Sequence, residues 1–276
     1  MNIVTIMNYN WNNINNINLC SVWINQAKLW LNKFDTVFIY SKQTLPKKLL
    51  ALIDQSYNTC LFKVVINPPL NMREVSIHFG ADHIKPISNH NFLFKLYVTS
   101  NISFPYLFID ADAFIVDHLQ DLDNIFKNDH NRVFFIDHER NIPGETNMLE
   151  SFINSGVFLM NDPEHLIYNW GSIIRFAKDT NFTCRFNKDS IIIPGTDQAI
   201  IKGYLDHIKY YYHHKNFGIE YNTYSAMIND WHRNKQGLWQ TTLKNNPNQI
   251  CKIVHYWGKN KPYSTKCPLM QEIQND

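Results

Sequence analysis

Two carboxylates separated by one small residue, Asp110-Ala111-Asp112, close the apolar run Phe108-Ile109, and this is where the sequence most strongly suggests metal chemistry. In an extended segment the side chains at i and i+2 point to the same side, so the spacing lets Asp110 and Asp112 converge on one divalent cation. The carboxyl end of a strand in an open α/β sheet is also where ligands usually bind. Two carboxylates at a buried strand end repel each other unless a cation or hydrogen-bond donors compensate them, which favours a metal over a purely structural role. The chain contains a second copy of the pattern, Asp121-Leu122-Asp123, which follows no apolar strand and reads as a solvated turn or helix start.

Hard carboxylate oxygens suit Mg²⁺ or Mn²⁺, and one nitrogen ligand tilts the choice toward Mn²⁺. His255 is the candidate nitrogen: it follows Ile253-Val254 and opens His255-Tyr256-Trp257-Gly258-Lys259-Asn260-Lys261-Pro262-Tyr263. That segment combines a metal ligand, a glycine that lets backbone amides approach an anion, and two ammonium groups, a set that fits a diphosphate. Taken alone it is also compatible with a surface turn. Asn154-Ser155-Gly156 precedes the apolar run Val157–Met160, and Asn154 can offer both donor and acceptor to sugar hydroxyls, or simply make a strand-opening turn. Pro194-Gly195-Thr196-Asp197-Gln198-Ala199 reads as a helix start, where Asp197 sits beside orphan amides and capping competes with catalysis as its explanation.

The elements that must position these residues alternate in the first half of the chain between short apolar runs and helix-period segments, the pattern of a parallel sheet with crossover helices. Strands are expected at Ile3–Met7, Thr36–Tyr40, Leu61–Ile66 and Tyr106–Ile109. Leu19, Val22, Trp23, Ala27 and Trp30 recur at helical spacing, with Asn18 placed as the cap. Asn fills seven of the eleven positions from Asn8 to Asn18, which reads as a loop of biased composition. Further helices are expected over Lys47–Ile53 and near Asn91–Thr99, the second leading into the strand that carries Asp110. Beyond Asp112 strands are expected at Arg132–Ile136, Val157–Met160, His207–Tyr212 and Lys252–Val254, with a helix around His165–Ala177. The 276 residues carry no internal repeat and no Gly/Ser linker, so residues 1–276 are read as one α/β domain: a nucleotide-binding half, 1–116, and an acceptor half with the C-terminal metal and diphosphate loop, 117–276.

Apolar residues make up 45% of the chain and aromatic residues 14%, which excludes a disordered polypeptide. With 26 Lys and Arg against 24 acidic residues the net charge is only +2, so nucleic acid is not an expected partner and anion recognition must be local. No apolar run approaches the ~20 residues of a membrane span, and Ile3–Met7 is too short for a signal h-region, so a cytoplasmic location is expected. The five cysteines are odd in number and never at C-x-x-C spacing, which argues against a disulfide framework or a zinc site. Composition leaves the choice between monomer and homodimer open.

Taken together and in order, Phe94-Lys95-Leu96, Phe108-Ile-Asp-Ala-Asp112, Asn154-Ser-Gly-Val-Phe158, Gly195-Thr-Asp-Gln198 and His255-x-x-Gly-x-x-Lys-Pro262 resemble the glycogenin/galactosyltransferase-like family, family 8 of the glycosyltransferases, which has the GT-A fold. The likeness runs from the first strand to Pro262. Each motif is weak alone, and their joint order is specific. The resemblance implies a single Rossmann-like domain with a mixed central sheet flanked by helices. It implies Mn²⁺ held by Asp110, Asp112 and His255, with Lys95, Gly258 and Lys261 near the nucleotide or its diphosphate. Asn154, Asp197 and Gln198 would then face the transferred sugar, and Tyr9 is the nearest match to the aromatic residue that stacks on uracil. The implied reaction moves a hexose or N-acetylhexosamine from a UDP-sugar to a hydroxyl of a glycan, lipid or protein, with retention of configuration. Tyr263 stands where the family typically has Trp, and the gap from Asp137 to Asn154 is long for it, departures that bear on the acceptor more than the donor.

Two other readings compete. Phosphatases of the haloacid-dehalogenase type also end a strand in Asp-x-Asp, but on the first strand and usually with Thr or Val two residues later, where this chain has Phe114 on about its fourth strand. A non-catalytic nucleotide-sugar-binding module would keep the same motifs, and only slow Mn²⁺-dependent hydrolysis of a UDP-sugar separates the two.

Overall fold

A computed structural model describes residues 1–55, 59–66, 91–128, 133–136, 154–161, 183–186, 191–194, 212–214, 218–256, 261–263 and 267–275, together with single positions between 172 and 209. Its centre is a seven-stranded sheet built from β1 (Asn2–Ile6), β2 (Thr36–Ser41), β3 (Leu61–Ile66), β4 (Tyr106–Ile109), β6 (Val133–Ile136), β7 (Asn154–Met160) and β10 (Tyr212–His214), in the order β10-β6-β7-β4-β1-β2-β3. The four strands of the first half pair in parallel, while β7 runs antiparallel to both β4 and β6, so the sheet is mixed. Strands from both sequence halves therefore share one sheet.

The period-2 alternation of a strand decides what lies on each face. Leu107 and Ile109 of β4 join Ile3, Val37 and Ile39 in a core closed by α1 (Ile14–Trp30), whose Leu19, Val22, Trp23, Ala27 and Trp30 are buried against it. Tyr106 and Phe108 turn to the other face, where Phe108 stacks on Phe158 across the β4–β7 pair at 5.0 Å between centroids. There α3 (Asn91–Thr99) packs on the sheet: the Tyr106 hydroxyl donates to the Thr99 carbonyl at 3.0 Å, and the Lys95 ammonium lies 4.5 Å from the centre of the Phe108 ring. A second helix, α2 (Lys47–Asp54), buries Leu49.

A three-stranded sheet ties the C-terminal segment to the centre. It joins β5 (Ala113–Ile115) to β16 (Ile253–His255) antiparallel, and β16 to β11 (Thr223–Tyr224) in parallel. Smaller antiparallel pairs join β8 (Thr183–Phe186) to β9 (Ile191–Pro194), β12 (His232–Arg233) to β13 (Trp239–Gln240), and β14 (Thr242–Leu243) to β15 (Asn246–Ile250). Further described helices are α4 (Gln120–Asn128) and α5 (Pro268–Asn275), and no described helix is long and apolar enough to cross a membrane.

Three expectations are corrected. The Asn-rich run is a loop only as far as Asn13, whose side chain caps α1 by accepting from the Asn15 N–H at 3.0 Å; Asn18 lies inside the helix and is buried. Helix context overrode composition: Asn18 opens the run Asn18–Ile24 that the helix buries. The strand expected at His207–Tyr212 is divided: His207 is helical, with the Ile208 N–H bonded to the Tyr204 carbonyl at 3.0 Å, and the strand begins at Tyr212. Asp110 to Ala113 is a turn rather than extended chain, closed by the Ala113 N–H on the Asp110 carbonyl at 2.9 Å. Of the helix expected at His165–Ala177, the described positions Ser172, Arg175 and Phe176 are helical, and the others lie outside the described residues.

Candidate metal centre at the carboxyl end of the sheet

The buried strand β4 stops at Ile109, and the turn that follows presents Asp110 and Asp112 before the chain re-enters a sheet as β5. The turn is pinned from two sides. The Asp110 N–H donates to the Gly156 carbonyl of β7 at 2.7 Å, and the Asp112 carbonyl accepts from the Tyr256 N–H at 2.9 Å. Antiparallel pairing of β5 with β16 sets His255 opposite Ala113, which carries the imidazole from the far end of the sequence to the Asp turn. Ligand atoms of Asp110, Asp112 and His255 all lie within 4.8 Å of one another. The convergence inferred from residue spacing is present, but a turn and a cross-strand pair produce it.

His255 is 4% exposed and Asp112 9%, so neither charge nor lone pair is left to bulk water. His255 Nδ1 lies 3.0 Å from Asn222 Oδ1, and on the other side Nε2 lies 3.5 Å from Asp112 Oδ1. With the Nδ1 proton donated to Asn222, an Nε2 lone pair faces a carboxylate oxygen, an arrangement that calls for a proton or a metal ion between them. The residues therefore fit a divalent cation: two hard oxygens, one imidazole nitrogen, and a buried neutral acceptor that orients the ring.

Two ammonium groups flank the carboxylates. Lys95, buried on α3, places Nζ 3.1 Å from both oxygens of Asp110 and 3.4 Å from Ser155 Oγ. Lys261, about one-third exposed at 36%, closes on Asp112 Oδ2. Burial by itself raises the Asp112 carboxyl, but hydrogen bonding and charge from His255, joined by Lys261, outweigh it and hold the group at about 2. For Lys261 burial acts to lower the ammonium, and the charge and hydrogen bond of Asp112, with a contribution from Asp110, reverse that and raise it. Tyr9, at the carboxyl end of β1, feels the same pair: its hydroxyl is raised by burial first, then by the charges of Asp112, Cys20 and Asp110. Its ring meets Trp11 edge-on at 6.0 Å.

Asn154 begins β7 and is buried, and its Oδ1 accepts from the Gly156 N–H at 2.7 Å. That bond shapes the strand start, which lies three residues earlier than the expected Val157. Asp197, Gln198 and Gly258 lie outside the described residues. Two residues of the site escape sequence reading. Asn222 is one asparagine among many. Gly156 was visible within the Asn154-Ser-Gly-Val-Phe158 motif but with no role of its own, yet a Cβ there would lie 2.0 Å from His255 Cε1, so only glycine leaves the ring its place.

No protein-family model and no curated relative matches the chain. Solved structures do. The apo form of mouse xyloside xylosyltransferase 1 aligns over 95% of this chain and 99% of its own, at 13% identity and a TM-score of 0.56. The apo form of the glycosyltransferase GlyE from Streptococcus pneumoniae TIGR4 aligns over 98% of this chain and 59% of its own, at 14% identity and a TM-score of 0.57. The apo structure of WbbM, a bifunctional glycosyltransferase, aligns over 99% of this chain and 49% of its own, at 12% identity and a TM-score of 0.58. At these identities the likeness is one of fold: the mixed sheet flanked by helices is the GT-A architecture of glycosyltransferases.

Proposed function

We propose that this chain is a metal-dependent glycosyltransferase that moves a hexose or N-acetylhexosamine from a UDP-sugar to a hydroxyl of a glycan, lipid or protein acceptor, with retention of configuration. The observation that carries the reading is the meeting of Asp110, Asp112 and His255 at the carboxyl end of the sheet, in a chain with the fold of sugar transferases. Asp110, Asp112 and His255 would hold the cation, Mn²⁺ in preference to Mg²⁺ because one ligand is nitrogen. When bound, such an ion supplies Lewis-acid stabilisation of the charge that grows on a departing diphosphate.

The protein's own groups divide the remaining work. Lys261 sits at the rim of the carboxylate pair, where its ammonium can turn from Asp112 to a phosphate oxygen and stabilise the leaving group. Lys95 is too buried to serve the same way; it neutralises Asp110 and fixes the orientation of that carboxylate. Tyr9 is assigned to the uracil base on the strength of the motif resemblance, and its hydroxyl is near enough to Asp112 and Asp110 to feel their charge. Gly258 is assigned to the diphosphate, and Asn154, Asp197 and Gln198 to the transferred sugar, on the strength of the motif resemblance.

The decisive experiment is a screen of UDP-sugars for Mn²⁺-dependent hydrolysis, since it tests metal, nucleotide and sugar together. Release of UDP from one or a few donors, abolished by chelation, is expected. Release of phosphate from simple monoesters without UDP binding would instead support a phosphatase. An inverted anomeric configuration in the freshly formed product, read by NMR, would remove the retaining assignment.

A further inference from the structure

We infer that Asn222 is a positioning residue of this centre: it holds the Nδ1 proton of His255, and with the clearance at Gly156 it presents Nε2 as the ligand atom. The inference rests on the reading of Asp110, Asp112 and His255 as metal ligands, and it assigns a role to Asn222, which no motif marks.

Three observations support it. The Asn222 side chain is fully buried and its Oδ1 lies 3.0 Å from His255 Nδ1. Its backbone is fixed rather than adaptable. Asn222 ends the 3-10 turn Ile219–Tyr221, its N–H bonds the Ile219 carbonyl at 3.1 Å, and the next residue's hydroxyl, Thr223 Oγ1, donates to the same carbonyl at 2.9 Å. Immediately after it, β11 pairs with β16 so that Tyr224 stands opposite His255. The orienting amide and the imidazole are thus held two residues apart across one parallel ladder. On the other edge of the ring, a Cβ at Gly156 would lie 2.0 Å from Cε1 and 2.7 Å from each ring nitrogen, so the ring is packed against bare backbone.

The chemistry of the amide matters. A neutral imidazole carries one proton, and the partner of one nitrogen decides which nitrogen keeps a lone pair. An amide oxygen takes the Nδ1 proton without adding a third negative charge beside Asp110 and Asp112. Without that acceptor both tautomers are open to the ring, and the one with the proton on Nε2 cannot bind a cation there.

The test uses the full-length chain. Long-range proton–nitrogen NMR correlations of the His255 ring, assigned with His255→Gln, are recorded on metal-free protein where the ring is neutral, and Mn²⁺ alone is titrated calorimetrically. Wild type should show a protonated Nδ1, with any proton near Nε2 shared with the Asp112 carboxylate that faces it when no metal is bound. Asn222→Ala should mix or invert the tautomers and weaken Mn²⁺ binding roughly 10–100-fold, whereas Asn222→Asp, which still accepts from Nδ1, should retain both. A wild-type ring with no proton on Nδ1, or an Asn222→Ala chain with unchanged tautomer and Mn²⁺ affinity, would overturn the inference. Should Asn222→Ala fail to fold, the wild-type spectrum and Asn222→Asp still decide it. A wild-type chain that binds no Mn²⁺ at all refutes the metal reading itself, a different result from Mn²⁺ binding with the wrong tautomer.

Discussion

Asp110-Ala111-Asp112 and Asp121-Leu122-Asp123 are the same pattern of residue types in two different places. The first lies in a turn at the end of a buried strand, pinned by β7 and by the segment after β16, with an imidazole and two ammonium groups drawn around its carboxylates. The second opens α4, where Asp121 is exposed and its carboxylate accepts from the Tyr221 hydroxyl at 3.3 Å. An acidic residue in the first turn of a helix meets free amides and the positive end of the helix dipole, which explains it without a ligand. What separates the copies is supply: among the described residues, only the first has a second sheet that delivers a nitrogen ligand from more than a hundred positions away.

Substitution should make that difference measurable, and the largest effect belongs to the first copy. Asp112→Asn should weaken Mn²⁺ binding by roughly 100-fold or more and remove metal-dependent turnover, since a ligand is lost where even an outer-shell partner matters 10–100-fold. Calorimetric titration with Mn²⁺ checks it. Lys261→Ala should weaken UDP binding about tenfold to 150-fold, the equivalent of a charge-assisted contact of ~1.5–3 kcal/mol, with the fold intact by circular dichroism. The same variant should bind Mn²⁺ more tightly when no nucleotide is present, because a competing cation has left Asp112. Opposite signs for metal and nucleotide would be hard to obtain from a general loss of structure.

Gly156→Ala comes next. The added methyl must displace the His255 ring or the strand, at a cost of about 1–3 kcal/mol, so a lowered thermal midpoint should accompany weaker Mn²⁺ binding.

The pH effect is smaller and its sign is fixed. The Asp112 carboxyl is held below its ordinary 3.8, at about 2, so its contribution to folding is complete above 3.8 and is lost as pH falls through about 2. The stability advantage of metal-free wild type over Asp112→Asn should therefore shrink in acid denaturation between those values. Asp121→Asn is the matched control, with no change in Mn²⁺ affinity and a stability loss of about 1 kcal/mol or less.

The comparison also shows what a sequence reveals. Short apolar runs bounded by turn and helix signals place β1 to β4 within a residue or two of their observed bounds, whether the strand is buried throughout, as β4 is, or alternates, as β2 does. The carboxylates and His255 were legible as residue types, since a buried strand end and a lone imidazole beside ammonium groups are chemically distinctive. Their mutual geometry was not. It depends on β5, three residues long and too short to give a periodic signal, and on its pairing with β16, which was expected at Lys252–Val254 but without a partner. Asn222 was invisible for another reason: in a chain rich in asparagine, a single one 33 residues from its partner carries no local mark. The Asn8–Asn18 run failed similarly, offering several equivalent caps, of which tertiary packing of α1 chose Asn13.

The central claim is that one cation is bound jointly by the Asp turn and by His255. Electron–nuclear double resonance on the Mn²⁺-loaded protein tests it most directly. A nitrogen hyperfine coupling that disappears in His255→Gln is the predicted result, and a Mn²⁺ signal with no histidine nitrogen, unchanged by that substitution, would contradict it.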